Sequence, residues 1–418
     1  MRERGQMRYR CLVLGGVVAA VVAVAWVPIG GQAPRGGAGT GAATWTPTRT
    51  AWGDPDLQGI WRGLEEIPFE RPAKYEGREL LTDAEHAALE ENRNAKNAER
   101  GAGKQENRGF REQPNYNAIV GYSPERIRVS RRTAAIVDPA DGLLPPWTLE
   151  QVKRYEALEA ATAGRGDADW TIDRPPGERC ISDFAVPYVN NWGMGLGPGA
   201  PNVYHDFEKV IGNPEVNPGG DGISPNASPG GTRRFLQTPG YVVVSEEEGN
   251  NYHIISLDGR PHLGAKFQQY QGDQRGHWEG NTLVVETTNV QYFGPVIPSY
   301  GSAIHPSGNG ETLRVVERYT RVGPDTMEYR VTVDDPAVYT KMWTVMHNLT
   351  RDDLYRVSPV PCREGIDDMG TTLYGWRLDE EQAMENAEET RVARKSGFER
   401  MKKRALEAAN APSTKSTK

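Results

Sequence analysis

Between Phe235 and Val360, apolar residues recur at every second position, and the runs they form are interrupted every dozen residues or so by Gly, Asp, Asn and Pro. A period of two sends successive side chains to opposite faces of an extended chain, so the stretch reads as half-buried strands rather than helices. The runs cover residues 241–247, 252–257, 283–289, 313–321, 327–333, 338–346 and 354–360. Between them lie turn formers such as Gly249-Asn250-Asn251, Asp258-Gly259, Gly280-Asn281 and Val322-Gly323-Pro324-Asp325. Short strands at this spacing predict a mainly β fold, an antiparallel meander forming a lipocalin-like barrel or curved sandwich, with added helices and long loops. Gly (47) and Pro (30) are plentiful, and Trp (10) and Tyr (17) outnumber Phe (8), as suits a turn-rich β-domain.

Ahead of the strands, Arg2, Arg4, Arg8 and Arg10 precede an apolar run over residues 12–29. That is a positive segment followed by a hydrophobic one, so residues 1–30 read as a signal peptide or an N-terminal membrane anchor. The positive-inside bias then places the body in the periplasm or outside the cell, and restricts contact with a membrane to this segment. Residues 31–50 are Gly/Ala/Thr-rich and read as a flexible linker, 51–376 as the β-rich domain, and 377–418 as a C-terminal helix and polar tail. Thr82 with Glu85 predicts a capped helix over 82–107, and Thr148 with Gln151 a second over 148–162. Residues 126–137 read as a strand stopped by Asp138-Pro139, and 170–231 as Gly/Pro/Asn-rich loops. Within those loops Gly193-Met194-Gly195-Leu196-Gly197 lacks the strand and helix that a phosphate loop needs.

Cys11 lies in the leader, leaving Cys180 and Cys362 for an oxidising compartment. A single disulfide between them is the economical expectation, worth up to about 4–5 kcal/mol for so long a loop, with two separate buried thiols as the alternative. The net charge of −7, from 49 Lys+Arg against 56 Asp+Glu, and the lack of a basic run exclude a nucleic-acid surface. The oligomeric state is left open.

Several words along residues 54–376 resemble an uncharacterised family of exported bacterial proteins. They include Pro55-Asp56-Leu57-Gln58-Gly59-Ile60-Trp61, Leu257-Asp258-Gly259-Arg260-Pro261-His262, Gly272-Asp273 through Thr287-Thr288-Asn289, and Val315-Val316-Glu317-Arg318-Tyr319-Thr320-Arg321. The resemblance implies export and carries no activity. This chain departs from it at Arg363, where relatives look like His, and at His253, where they carry Arg. Gly59-Ile60-Trp61 also resembles the Gly-x-Trp opening of lipocalin-like barrels, in which the Trp plugs one end.

Strand alternation nominates the chemistry. Glu317 shares a face with Leu313, Val315 and Tyr319, and a carboxylate on an apolar row must be hydrogen-bonded, ion-paired or protonated. His253 shares a face with Ile255 and Leu257, while Asp273, Arg275, His277 and Glu279 alternate along one face near Arg260 and His262. The candidate acid–base residues are therefore Glu317, His262, His277 and Asp273, and the candidate ligand-binding residues are Arg260, Arg275, His253, Tyr319 and Trp278. Structural ion pairs would produce the same patterns. No Gly-x-Ser-x-Gly, His-Glu-x-x-His, Cys-x-x-Cys or Walker motif occurs, so no cofactor is implied, and the scattered His253, His262 and His277 imply no metal. Three functions remain open. The chain binds an apolar or aromatic small molecule in a barrel cavity, or is a cofactor-free hydrolase, lyase or isomerase on that cavity, or is an envelope structural or interaction protein.

Overall fold

A computed structural model describes residues 45–63, 65–102, 128–161, 232–246, 252–269, 271–291, 312–357 and 398–411. The leader, Cys180, Cys362, the 170–231 loops, the Gly249-Asn250-Asn251 turn, and residues 358–360 and 377–397 lie outside them.

The strands are β1 (Gly59–Arg62), β2 (Glu65–Glu66), β3 (Arg128–Val129), β4 (Ile136–Asp138), β5 (Thr232–Thr238), β6 (Tyr241–Glu246), β7 (Tyr252–Ser256), β8 (Asp273–Glu279), β9 (Thr282–Thr288), β10 (Arg314–Arg321), β11 (Thr326–Asp334) and β12 (Trp343–Arg351). Strands β5 to β12 lie side by side in chain order, and β1 pairs with both β5 and β12, which closes a nine-strand barrel. β4 adds to β12 at Thr344 and Val345, above the place where β1 meets Arg351 and Thr350 on the same edge. The fold is thus the expected mainly β, lipocalin-like barrel with one departure from a pure meander: β7 and β8 run parallel, Ser256 opposite Arg275.

The parallel step has a visible cause. Residues 257–269 carry the chain back outside the barrel, so β8 starts at the same end as β7. Gly276 allows the two strands to pack, since a Cβ there would sit 2.5 Å from Ile255 Cγ2 and 2.8 Å from Leu257 Cδ2. Other boundaries also differ from the sequence pattern. Residues 338–342 form a turn and the last barrel strand begins at Trp343 and runs through Arg351, so Leu354 lies beyond it and is exposed. The 126–137 run breaks into β3 and β4, because residues 130–135 bend to meet Leu80, Leu81 and Pro68.

Among the described residues three α-helices accompany the barrel: α1 (Asp83–Ala102), α2 (Leu149–Ala161) and α3 (residues 398–410). α1 starts at the capping box, where Glu85 N–H donates to Thr82 Oγ1 (3.2 Å) and Thr82 N–H to Glu85 Oε2 (2.8 Å). Arg78 holds the same carboxyl, and its hydrogen bonds lower the Glu85 pKa to about 2. At the start of α2, Gln151 N–H donates to Thr148 Oγ1 (3.1 Å).

Both barrel ends are plugged. At one end Trp147, Tyr155 of α2 and Phe398 of α3 stack, with Tyr155 and Phe398 ring centroids 4.5 Å apart, and they share one core with the barrel residues Val333 and Trp343. At the other end Trp61 is fully buried and donates its indole N–H to Leu57 O (2.8 Å). The backbone of residues 55–57 is clasped there by the Gln237 side chain. Residues 45–50, placed in the linker by composition, belong to this end: Arg49 donates to Asn281 Oδ1 (3.2 Å), and the Arg321 guanidinium lies over the Trp45 ring.

Candidate functional site

The register sorts every nominated residue to the inside or the outside of the barrel. Gly276 pairs with Val285, which pairs with Glu317, which pairs with Val331, which pairs with Val345. Paired residues share a face, so this row points inward with the core. Arg275, opposite Glu286, and Glu286, opposite Val316, point outward. Glu317 therefore lies on one side of the wall, and Asp273, Arg275, His277 and Glu279 on the other. No single cavity face joins Glu317 to His262, His277 and Asp273.

Inside, two tyrosines converge on the carboxylate. Tyr319 and Tyr329 each donate a phenol O–H to Glu317 Oε1, both at 2.6 Å, and their rings stack with centroids 4.6 Å apart. Arg233, almost fully buried, donates to Tyr319 Oη (3.2 Å) and holds its guanidinium 4.6 Å from the Tyr329 ring centroid. Burial is the main reason both phenols titrate far above the ordinary tyrosine range; the Glu317 charge reinforces it and Arg233 opposes it. His347 packs edge-on against Tyr329, and burial together with the Arg233 charge lowers its pKa to about 3, so it stays neutral. Both phenols fall on Oε1 of Glu317, and none of the described residues donates to Oε2; the residue as a whole is 6% exposed.

His253 also faces inward, with Gln274 Nε2 2.5 Å from its Nδ1, and Trp278 is half-buried against the same core. Glu317, Tyr319 and His253 thus belong to the barrel interior. Arg233, Tyr329, His347 and Gln274 were not nominated from sequence. Parity with Glu317 would have found Tyr329, since it sits on the row of Met327 and Val331; Arg233 precedes the point where the apolar alternation begins.

Outside, the 257–269 loop is fastened over β8 and β9. Asp273 Oδ2 accepts from the Leu263 N–H (2.8 Å) and lies 3.0 Å from His262 Nδ1, while Arg275 bonds Asp273 Oδ1 at 2.9 Å. His262 Nε2 lies 3.6 Å from Glu286, which Arg314 grips at 2.9 and 2.7 Å and thereby holds below the usual carboxylate range. Asn289 donates to Leu263 O (2.9 Å) and Gly264 O (3.1 Å). His277 is exposed and pairs with Glu279 (3.1 Å), which Arg318 also holds (2.6 Å); Arg260 is exposed and pairs with Asp258. Both imidazole nitrogens of His262 face carboxylates already held by arginines, so this network fastens the loop to β8 and β9.

Among the described residues no three His, Cys, Asp or Glu side chains are grouped to hold a metal, and no helix is long and apolar enough to cross a membrane. Comparison of the chain with protein-family models, with curated proteins and with solved structures finds no match.

Proposed function

We propose that the barrel binds an apolar or aromatic small molecule between its walls, with Glu317 as the polar anchor, and that it does so outside the cytosol. The observation that carries this is the asymmetry of the Glu317 carboxylate: two buried phenols occupy one oxygen, and none of the described residues donates to the other. A buried carboxylate is costly unless its lone pairs are used, and a structural role would use both oxygens. The surroundings suit an aromatic guest, since Tyr319, Tyr329, Phe235 and Trp278 line or pack against the same interior. Barrels of about this strand number hold one small ligand, and such sites combine apolar walls with a few placed polar groups. The export reading rests on the Arg-rich start and the apolar run over residues 12–29.

Titration of the purified protein with the fluorescent probe N-phenyl-1-naphthylamine tests the reading. Expected are saturable enhancement at one site per chain and energy transfer from the barrel tryptophans, both weakened in Glu317→Gln. A probe signal that is absent or rises without saturation contradicts it.

A further inference from the structure

The outer wall of β5, β6 and β7 differs from the rest of the barrel. Along β8 to β11 the outward rows carry ion pairs: Glu279 with Arg318, Glu286 with Arg314, and Glu328 with Arg330. On β5 to β7 they carry Leu236, Tyr241, Val243, Tyr252 and Ile254, and Arg234 is the one outward charge among the described side chains of these strands. Leu236 is 48% exposed, Tyr241 42%, Tyr252 54% and Ile254 66%. The register joins them into one patch. Leu236 pairs with Val243 and Val243 with Ile254, and this apolar row lies between the rows Arg234-Ser245-Tyr252 and Thr238-Tyr241-Ser256. The four large side chains expose about 400 Å², the size at which an apolar patch is often functional. With Val243, Arg234 and Thr238 included, two such faces laid together would bury about 1,200 Å² in total, the lower bound for a specific, stable interface.

The same register is self-complementary. A two-fold axis running along β6 between two copies lays Leu236 of each on Ile254 of the other and Val243 on Val243. It also brings Arg234 over the Tyr252 ring of the second copy, a favourable place for a guanidinium. The facing strands then run in the same direction, as in aligned packing of two sheets. This match between the two edges of the patch is what a second copy requires and a foreign partner does not.

We propose that the chain forms a two-fold dimer through the outer face of β5, β6 and β7. Sedimentation velocity of the full chain in a mild non-ionic detergent tests it, with Leu236→Asp and Ile254→Lys as variants and near-UV circular dichroism to confirm that both are folded. The native chain should sediment as a dimer. Each single variant buries an unpaired charge twice over in the interface, which should weaken association about a hundredfold or more and leave monomers. In an equimolar mixture of the two variants the aspartate of one meets the lysine of the other, while the second Leu236–Ile254 contact is native, so the dimer should return. A native chain that is monomeric overturns the proposal, whether the patch is solvated or covered by another segment of the same chain. A dimer that survives both substitutions runs through a different surface, the apolar run over residues 12–29 included, and overturns it as well. Variants that stay monomeric when mixed overturn the facing of Leu236 on Ile254. None of these outcomes touches the binding role given to Glu317, which lies on the other side of the wall.

Discussion

His347→Phe should flatten the acid side of the stability profile. His347 is buried on the inward row of β12, edge-on to Tyr329 and close to the Arg233 charge, and its pKa falls from about 6.5 to about 3 on folding. Between those values the unfolded chain binds a proton there and the folded chain does not, so stability rises with pH through the window and is lost as the pH drops below about 6.5. The slope approaches about 1.4 kcal/mol per pH unit, which amounts to about 2 kcal/mol lost by pH 5 and about 3 by pH 4. Phenylalanine keeps the ring against Tyr329 and removes the titration. Carboxylates held low by arginine partners, such as Glu286, also lose stability as acid protonates them, but they do so equally in both proteins. The quantity to measure is therefore the difference: urea unfolding of wild type and variant at pH 8, 6, 5 and 4. The variant should gain on the wild type by about 2 kcal/mol between pH 8 and 5. Parallel profiles would refute a buried neutral imidazole.

Two further substitutions probe the wall. Tyr329→Phe removes one phenol from Glu317 Oε1 and should cost about 1.5–3 kcal/mol in urea unfolding, the range for a hydrogen bond to a charged acceptor; a change below 0.5 kcal/mol, roughly the level of a neutral surface substitution, would contradict that bond. Gly276→Ala forces a methyl group against Ile255 and Leu257, and overpacking at the parallel β7–β8 junction should cost about 1–3 kcal/mol and lower the thermal midpoint. An unchanged midpoint would mean that the two strands do not approach as closely as described.

Much of the barrel was legible because alternation survives along β10 and β11, where one row is buried and the other is partly exposed, as at successive residues of β11 from Thr326. Reading failed where the pattern is not set by solvent. Residues 338–342 are apolar enough to imitate a strand, but Val338 and Tyr339 turn inward to pack beside Trp147 and Trp343, so the strand starts later. Asp273 looked like a partner for Glu317 because alternation assigns residues to faces within one strand and does not say which face of β8 matches which face of β10. Only the pairing Gly276 to Val285 to Glu317 settles that, and a long-range register is not written in local periodicity. The burial of Asp273 on the outer face is equally a product of the crossing loop, which covers it through His262 and Leu263. Arg233 escaped notice because it stands before the apolar run, and its role depends on tyrosines 86 and more residues away in the chain.

The most direct measurement is a crystal structure of the protein grown with N-phenyl-1-naphthylamine. The naphthyl ring should lie among the inward side chains, with its amine nitrogen within hydrogen-bonding distance of Glu317 Oε2 and both tyrosine phenols still on Oε1. A barrel interior filled by protein side chains alone, or a probe bound only on the outer surface, would contradict the account.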